Sequence, residues 1–79
     1  MHEYILYEKE TCPFCRKVFR YMDEAGISIP MKNVLDRGVA EELVRIGGKN
    51  QVPCLVIDGK ALYESDDIIQ YMKENFQEG

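Results

Sequence analysis

The chain has 79 residues and a mass of 9.2 kDa, room for one small domain spanning residues 1–79. Hydrophobic residues at 46% and charged residues at 30% describe a folded domain, not a disordered tail. Fourteen acidic against ten basic residues leave a net charge of −4, which speaks against non-specific nucleic-acid binding, and no apolar stretch approaches the roughly 18 residues of a membrane span. In chain order, Glu3 to Glu8 is a short apolar run rich in β formers and predicts a first strand. Pro13 to Ala25 spaces Phe14, Val18, Met22 and Ala25 as a helix does, with Pro13 suited to the first position and Gly26 to the stop. Ile27 to Val34 reads as a second strand, entered across Pro30. Gly38 to Gly47 reads as a second helix with Val39, Leu43 and Ile46 on one face. Pro53 to Ile57 is the next strand, Asp58-Gly59 a hairpin turn, and Ala61 to Tyr63 the return strand. Ser65 stands as the N-cap of a third helix carrying Ile68, Ile69, Met72 and Phe76. The order β-α-β-α-β-β-α predicts an α/β fold. Its first two strands run parallel through a right-handed crossover, and its last two form an antiparallel hairpin. The sheet is then four-stranded and mixed, flanked by three helices.

Three cysteines are too few, and odd in number, for a secreted disulfide scaffold. The start Met1-His2-Glu3-Tyr4 has no basic region of the signal-peptide kind, so the expected compartment is the reducing cytoplasm. Two of the thiols form the pair Cys12-Pro13-Phe14-Cys15 at a strand-to-helix junction. Cys12 falls just before the helix, where free N–H groups and the positive dipole end favour a thiolate. Cys15 is one turn inside, close enough to form a disulfide. Lys9 precedes the pair and Arg16, Lys17 and Arg20 follow it, so Cys12 is expected to have a lowered pKa and Cys15 not. Lowering a thiol from about 8.5 to about 5 raises its thiolate fraction at neutral pH roughly thirtyfold, while intrinsic nucleophilicity falls by a similar factor. The gain is therefore in Cys12 as a leaving group. A zinc site needs further ligands, for which only Cys54 and His2 are candidates, so no metal is expected. Cys54 itself reads as a small buried hydrophobe in a strand. Phe14 and Tyr63 suit either the core or a ligand cleft.

Lys9-Glu10-Thr11-Cys12-Pro13-Phe14-Cys15 resembles the active-site segment of glutaredoxins, with Phe14 where that family often has Tyr. Gln51-Val52-Pro53 resembles its Thr-Val-Pro, where the proline is cis, and Glu64-Ser65-Asp66-Asp67 falls where the family carries Gly-Gly-x-Asp-Asp. The Glu-Ser pair before the last helix is also similar to the N-terminal domain of glutathione transferases. The resemblance covers nearly the whole chain and implies a thioredoxin-like fold. It implies glutathione as co-substrate and no tightly bound cofactor. Glutathione's cysteine would pair with the backbone of Val52 beside Pro53. Its γ-glutamyl carboxylate would meet the N–H groups of Ser65 and Asp66 and the Ser65 hydroxyl, and Lys9 and Lys49 would face the glycyl carboxylate, with Phe14 lining the site. Pro13 and Arg16 would tune the pair.

The expected activity is a glutathione-dependent thiol–disulfide oxidoreductase, catalytic through Cys12 and Cys15. Its partners would be disulfide-containing or glutathionylated proteins, with the chain itself a monomer. The alternatives are a disulfide reductase recharged by thioredoxin reductase, and a module that binds glutathione or an iron–sulfur cluster.

Overall fold

The computed structural model describes residues 2–76. Seven elements follow one another: β1 (Tyr4–Glu8), α1 (Pro13–Ala25), β2 (Met31–Asn33), α2 (Val39–Gly47), β3 (Cys54–Ile57), β4 (Lys60–Tyr63) and α3 (Ser65–Asn75). The sheet order is β2-β1-β3-β4, with β2 parallel to β1 and both other pairings antiparallel. This is the expected element order and the expected mixed sheet.

Strand alternation divides the interior into two layers. Leu6 of β1 pairs in register with Leu55 of β3, and both point to α1 and α3, where they meet Val18, Met22, Ile68 and Met72. Their neighbours Tyr7 and Cys54 are also paired and point the other way, toward Leu43 of α2. Each fully buried aliphatic side chain of this kind contributes about 1.5–3 kcal/mol. The second layer carries a polar tie: the Tyr7 hydroxyl and the Lys32 ammonium both donate to the Glu42 carboxylate, the latter at 2.8 Å, joining β1 and β2 to α2.

Three details differ from expectation: the extent of the second strand and the inward faces of two helices. The second strand is β2 alone, three residues long. Gly26 takes a left-handed conformation with φ 70°, and the Ile27 N–H closes back on the Met22 carbonyl at 2.9 Å, so the chain leaves α1 in a tight cap. Pro30 then has no N–H to give the ladder; its carbonyl accepts from Leu6 N at 2.9 Å, and strand pairing begins only after it. Ile27 and Ile29 pack against the first layer from this connection. On α2, Leu43 alone is buried, while Ile46 is 36% exposed. On α1, Val18 and Met22 face inward as expected, but the buried residue of the first turn is Cys15 and Phe14 is exposed. Asp58 and Gly59 both take positive φ, the turn expected between β3 and β4.

Candidate active site

The N-terminus of α1 is built as its sequence dictates. Cys12 is the N-cap in extended conformation and Pro13 is the first helical residue, with its missing N–H where none is needed. The Cys12 N–H donates to the Lys9 carbonyl at 3.0 Å, which folds the preceding loop under the helix end. Cys12 is half-buried and Cys15 fully buried, and both thiols are free. The Cys12 thiol points across to the Val52 carbonyl at 3.8 Å.

The two thiols are driven apart in acidity. Partial burial pushes Cys12 up. The backbone N–H groups of Cys15 and Phe14, the Cys15 thiol and the Lys9 charge pull it down, and the net shift is downward. Cys15 is pushed up to about 12, first by burial and then by its contact with Cys12, against a backbone hydrogen bond. Arg16 was expected to share in lowering Cys12; its Nε instead donates to the Glu10 carbonyl at 3.1 Å. Lys17 forms an ion pair with Asp66 and so ties α1 to the start of α3. Lys9 is the cation whose charge bears on Cys12.

Beside Cys12 lies a cleft lined by Phe14, Gln51, Val52, Pro53, Glu64, Ser65 and Asp66. It is assembled from three separate parts of the chain: the first turn of α1, the loop before β3 and the start of α3. The Val52–Pro53 peptide bond is cis, as the resemblance implies. Phe14 is 61% exposed and forms a wall of the cleft, not part of the core. Lys9 and Lys49 are not among the lining side chains. Lys49 instead places its ammonium over the Tyr63 ring, 5.3 Å from the centroid, while the Tyr63 hydroxyl donates to the Lys49 carbonyl at 2.9 Å.

Ser65 is not the N-cap. Glu64 holds that place, its carbonyl accepting from Ile68 N at 3.0 Å, and Ser65 is already the first helical residue, buried at 7% exposure. The chain turns from β4 into α3 through φ 73° at Glu64, a conformation that favours glycine and costs a side chain of order 1–3 kcal/mol. A glutamate stands here in place of the glycine expected from the glutaredoxin pattern. Its carboxylate lines the cleft and accepts from Gln51 Nε2 at 3.3 Å. Gln51 and Glu64 are thus cleft residues that sequence reasoning noticed only as departures from a pattern; the departures themselves were the signal. Cys54 is fully buried, its thiol pushed up to about 11 by burial against hydrogen bonds from Leu62 and Tyr63. Among the described residues, no group of three His, Cys, Asp or Glu side chains comes together as a metal site, and no helix is long and apolar enough to cross a membrane.

A parallel β-α-β unit joined to an antiparallel β-hairpin and a last helix, with a cysteine pair heading α1 opposite a cis-proline, defines a thioredoxin-like domain. The sequence matches the family model described as glutathione S-transferase, N-terminal domain, over residues 6–79. It is similar to Glutaredoxin 3 of Escherichia coli (strain K12), 31% identical over 65 residues, 80% of this chain and 77% of that protein. It is also similar to Glutathione S-transferase DHAR3, chloroplastic, of Arabidopsis thaliana, 34% identical over 67 residues, 85% of this chain and 26% of that protein. Among solved structures, glutathione transferase Omega 3C from Trametes versicolor superimposes with a TM-score of 0.82 at 27% identity, covering 94% of this chain and 34% of that one. The chain thus spans about a quarter to a third of the length of these transferases and most of the glutaredoxin. It belongs to the glutaredoxin family, within the thioredoxin-like fold which that family shares with the N-terminal domains of glutathione transferases.

Proposed function

We propose that this domain is a glutathione-dependent thiol–disulfide oxidoreductase with Cys12 as nucleophile. The observation that carries the reading is a half-buried, acidified thiol at the edge of a cleft, with a buried partner thiol one turn behind it. In the first step the Cys12 thiolate attacks one sulfur of a substrate disulfide. That bond breaks, the other sulfur leaves as a thiolate and takes a proton, and Cys12 carries the remaining half as a mixed disulfide. When that half is glutathione, the cleft suits it chemically. The Val52 backbone, beside cis-Pro53, is where main-chain pairing to the glutathione cysteine would form. The N–H groups of Ser65 and Asp66 and the Ser65 hydroxyl stand ready for the γ-glutamyl carboxylate at the positive end of α3. The Glu64 carboxylate on the same wall complements the adjacent ammonium. Phe14 covers the apolar side, and Lys9 and Lys49, which lie outside the cleft lining, would reach the glycyl end only by swinging inward, Lys49 by leaving the Tyr63 ring.

A second glutathione thiolate then attacks the glutathione sulfur, and Cys12 leaves as a stabilised thiolate, the step that a lowered pKa accelerates most. This route does not need Cys15. In the alternative route Cys15 attacks Cys12, closes the Cys12–Cys15 disulfide and releases the substrate thiol. Cys15 is held neutral at physiological pH, so that route needs a proton acceptor and is the more demanding of the two. Both routes draw on a reduced glutathione pool, in keeping with a cytoplasmic setting, and neither calls for a bound cofactor.

Replacing either cysteine separates the routes. Cys12→Ser abolishes release of glutathione from a glutathionylated peptide. Cys15→Ser keeps that activity within a few-fold and loses the reduction of protein disulfides. A fully active Cys12→Ser protein sinks the reading, and turnover that runs with thioredoxin reductase but not with glutathione changes the electron donor.

A further inference from the structure

Two walls of the cleft come from parts of the chain that Tyr63 joins. Gln51, Val52 and Pro53 form one wall, from the loop between α2 and β3, and Glu64, Ser65 and Asp66 form the other, at the entry into α3. Tyr63 ends β4 and directly precedes the second wall. It pairs in register with Cys54, the residue that follows the first wall, and both side chains turn to the α2 face of the sheet. There the Tyr63 hydroxyl donates to the Lys49 carbonyl at 2.9 Å and meets the Cys54 thiol. The ring lies under the Lys49 ammonium, 5.3 Å from its centroid.

We propose that Tyr63 is a positioning residue for glutathione, its hydroxyl fixing the spacing between the two cleft walls. The assignment rests on the reading of the cleft as a glutathione site, and it names a residue outside the cleft lining that sets the width of that site. The loop before β3 does not hold itself. Among the described residues, 49–52 make no backbone–backbone hydrogen bond. A loop left unfixed has to be ordered by its ligand, at the expense of affinity.

Three features support the role. The hydroxyl touches both ends of the loop, Lys49 where it starts and Cys54 where it passes into β3. The end of α2 leaves room for that hydroxyl: a Cβ built on Gly47 overlaps it and lies 2.8 Å from the ring carbon that bears it. The Gln51 amide also reaches the Glu64 carboxylate at 3.3 Å, but that exposed bond joins side chains, whereas Tyr63 holds the backbone that carries Val52. The groups that lower the Cys12 thiol are Cys15, Phe14 and Lys9, all outside this loop and β4. Tyr63 therefore acts on the seat of the ligand and not on the nucleophile.

The test is the kinetics of glutathione removal from a glutathionylated peptide by the full chain. Tyr63→Phe deletes the hydroxyl and keeps the ring under the Lys49 ammonium. It raises KM for the glutathionylated peptide roughly three- to tenfold, as the loss of one neutral hydrogen bond does, and leaves kcat within about twofold. The pH midpoint of Cys12 alkylation by iodoacetamide stays in place. A lower urea midpoint with KM unchanged makes Tyr63 a structural residue only and overturns the assignment, while leaving the Cys12 reading intact. A displaced alkylation midpoint overturns it as well, because the hydroxyl would then act on the nucleophile. If Tyr63→Phe does not fold, Gly47→Ala decides the matter, since its methyl group pushes the hydroxyl off the Lys49 carbonyl without removing it. A raised KM in that variant supports the role, and an unchanged KM overturns it. Absence of glutathione removal by the unmodified protein removes the Cys12 reading and this one with it.

Discussion

Gly47 ends α2 where the helix presses on β4. A Cβ built there lies 2.8 Å from Ala61 Cβ and overlaps the Tyr63 hydroxyl, so the residue is fixed by close approach, not by backbone freedom. Its neighbour Gly48 carries the other role of a helix-terminal glycine, with φ 84° and its N–H closing on the Val44 carbonyl at 2.7 Å. Tyr63 cannot yield without loss, because its hydroxyl anchors the Lys49 carbonyl and contacts the Cys54 thiol. Gly47→Ala is therefore expected to cost about 1–3 kcal/mol through overpacking, read as a lower urea midpoint. The same change disturbs the segment that leads to Gln51 and Pro53, so glutathione-dependent turnover falls with it. An unchanged midpoint contradicts the packing account.

At the scale of elements, what the sequence made legible were the features with local causes. Pro13 and Gly26 bracket α1, Asp58-Gly59 turns β3 into β4, and alternation in β1 assigns Leu6 and Tyr7 to opposite layers. What it hid depends on partners distant in sequence. The run from Ile27 has the composition of a strand, yet β2 pairs with β1 only from Met31, because the α1 cap and Pro30 use the preceding residues differently. Ser65 has the chemistry of an N-cap, but the sharp entry from β4 moves that position to Glu64. Within the site, the cysteine pair was readable from spacing alone, and Val52, Pro53 and Ser65 from resemblance. For Arg16 and Lys17, spacing along a helix does not say which groups across the loop or cleft engage them: the Glu10 carbonyl for one and Asp66 for the other.

At the scale of the whole molecule, the first turn of α1, the loop before β3 and the start of α3 meet only because β3 and β1 pair in the register Leu6 with Leu55 and Tyr7 with Cys54. The same packing keeps several acidic groups neutral. Cys15 is pushed to about 12 and Cys54 to about 11, against about 8.5 unfolded; Tyr7 is pushed to about 12, against about 10 unfolded. A folded value above the unfolded one means that stability is fully present below the unfolded value and lost as pH rises toward the folded one. Each thiol that ionises only in the unfolded chain tilts the balance by about 1.4 kcal/mol per pH unit. Cys12, lowered in the folded state, has the opposite sign, and its contribution is complete once pH passes the unfolded thiol value. Urea midpoints should thus fall continuously as pH is raised above about 8.5, and a flat profile across that range contradicts the burial of these groups. The central claim is that this packing delivers one activated thiol to a glutathione cleft. The most direct test is the rate of iodoacetamide alkylation at Cys12 against pH, followed by mass analysis after exposure to glutathione disulfide. The account predicts a midpoint well below that of an ordinary thiol, and either one glutathione on Cys12 or a Cys12–Cys15 disulfide, with Cys54 unmodified. An ordinary midpoint near 8.5 and no adduct would contradict it.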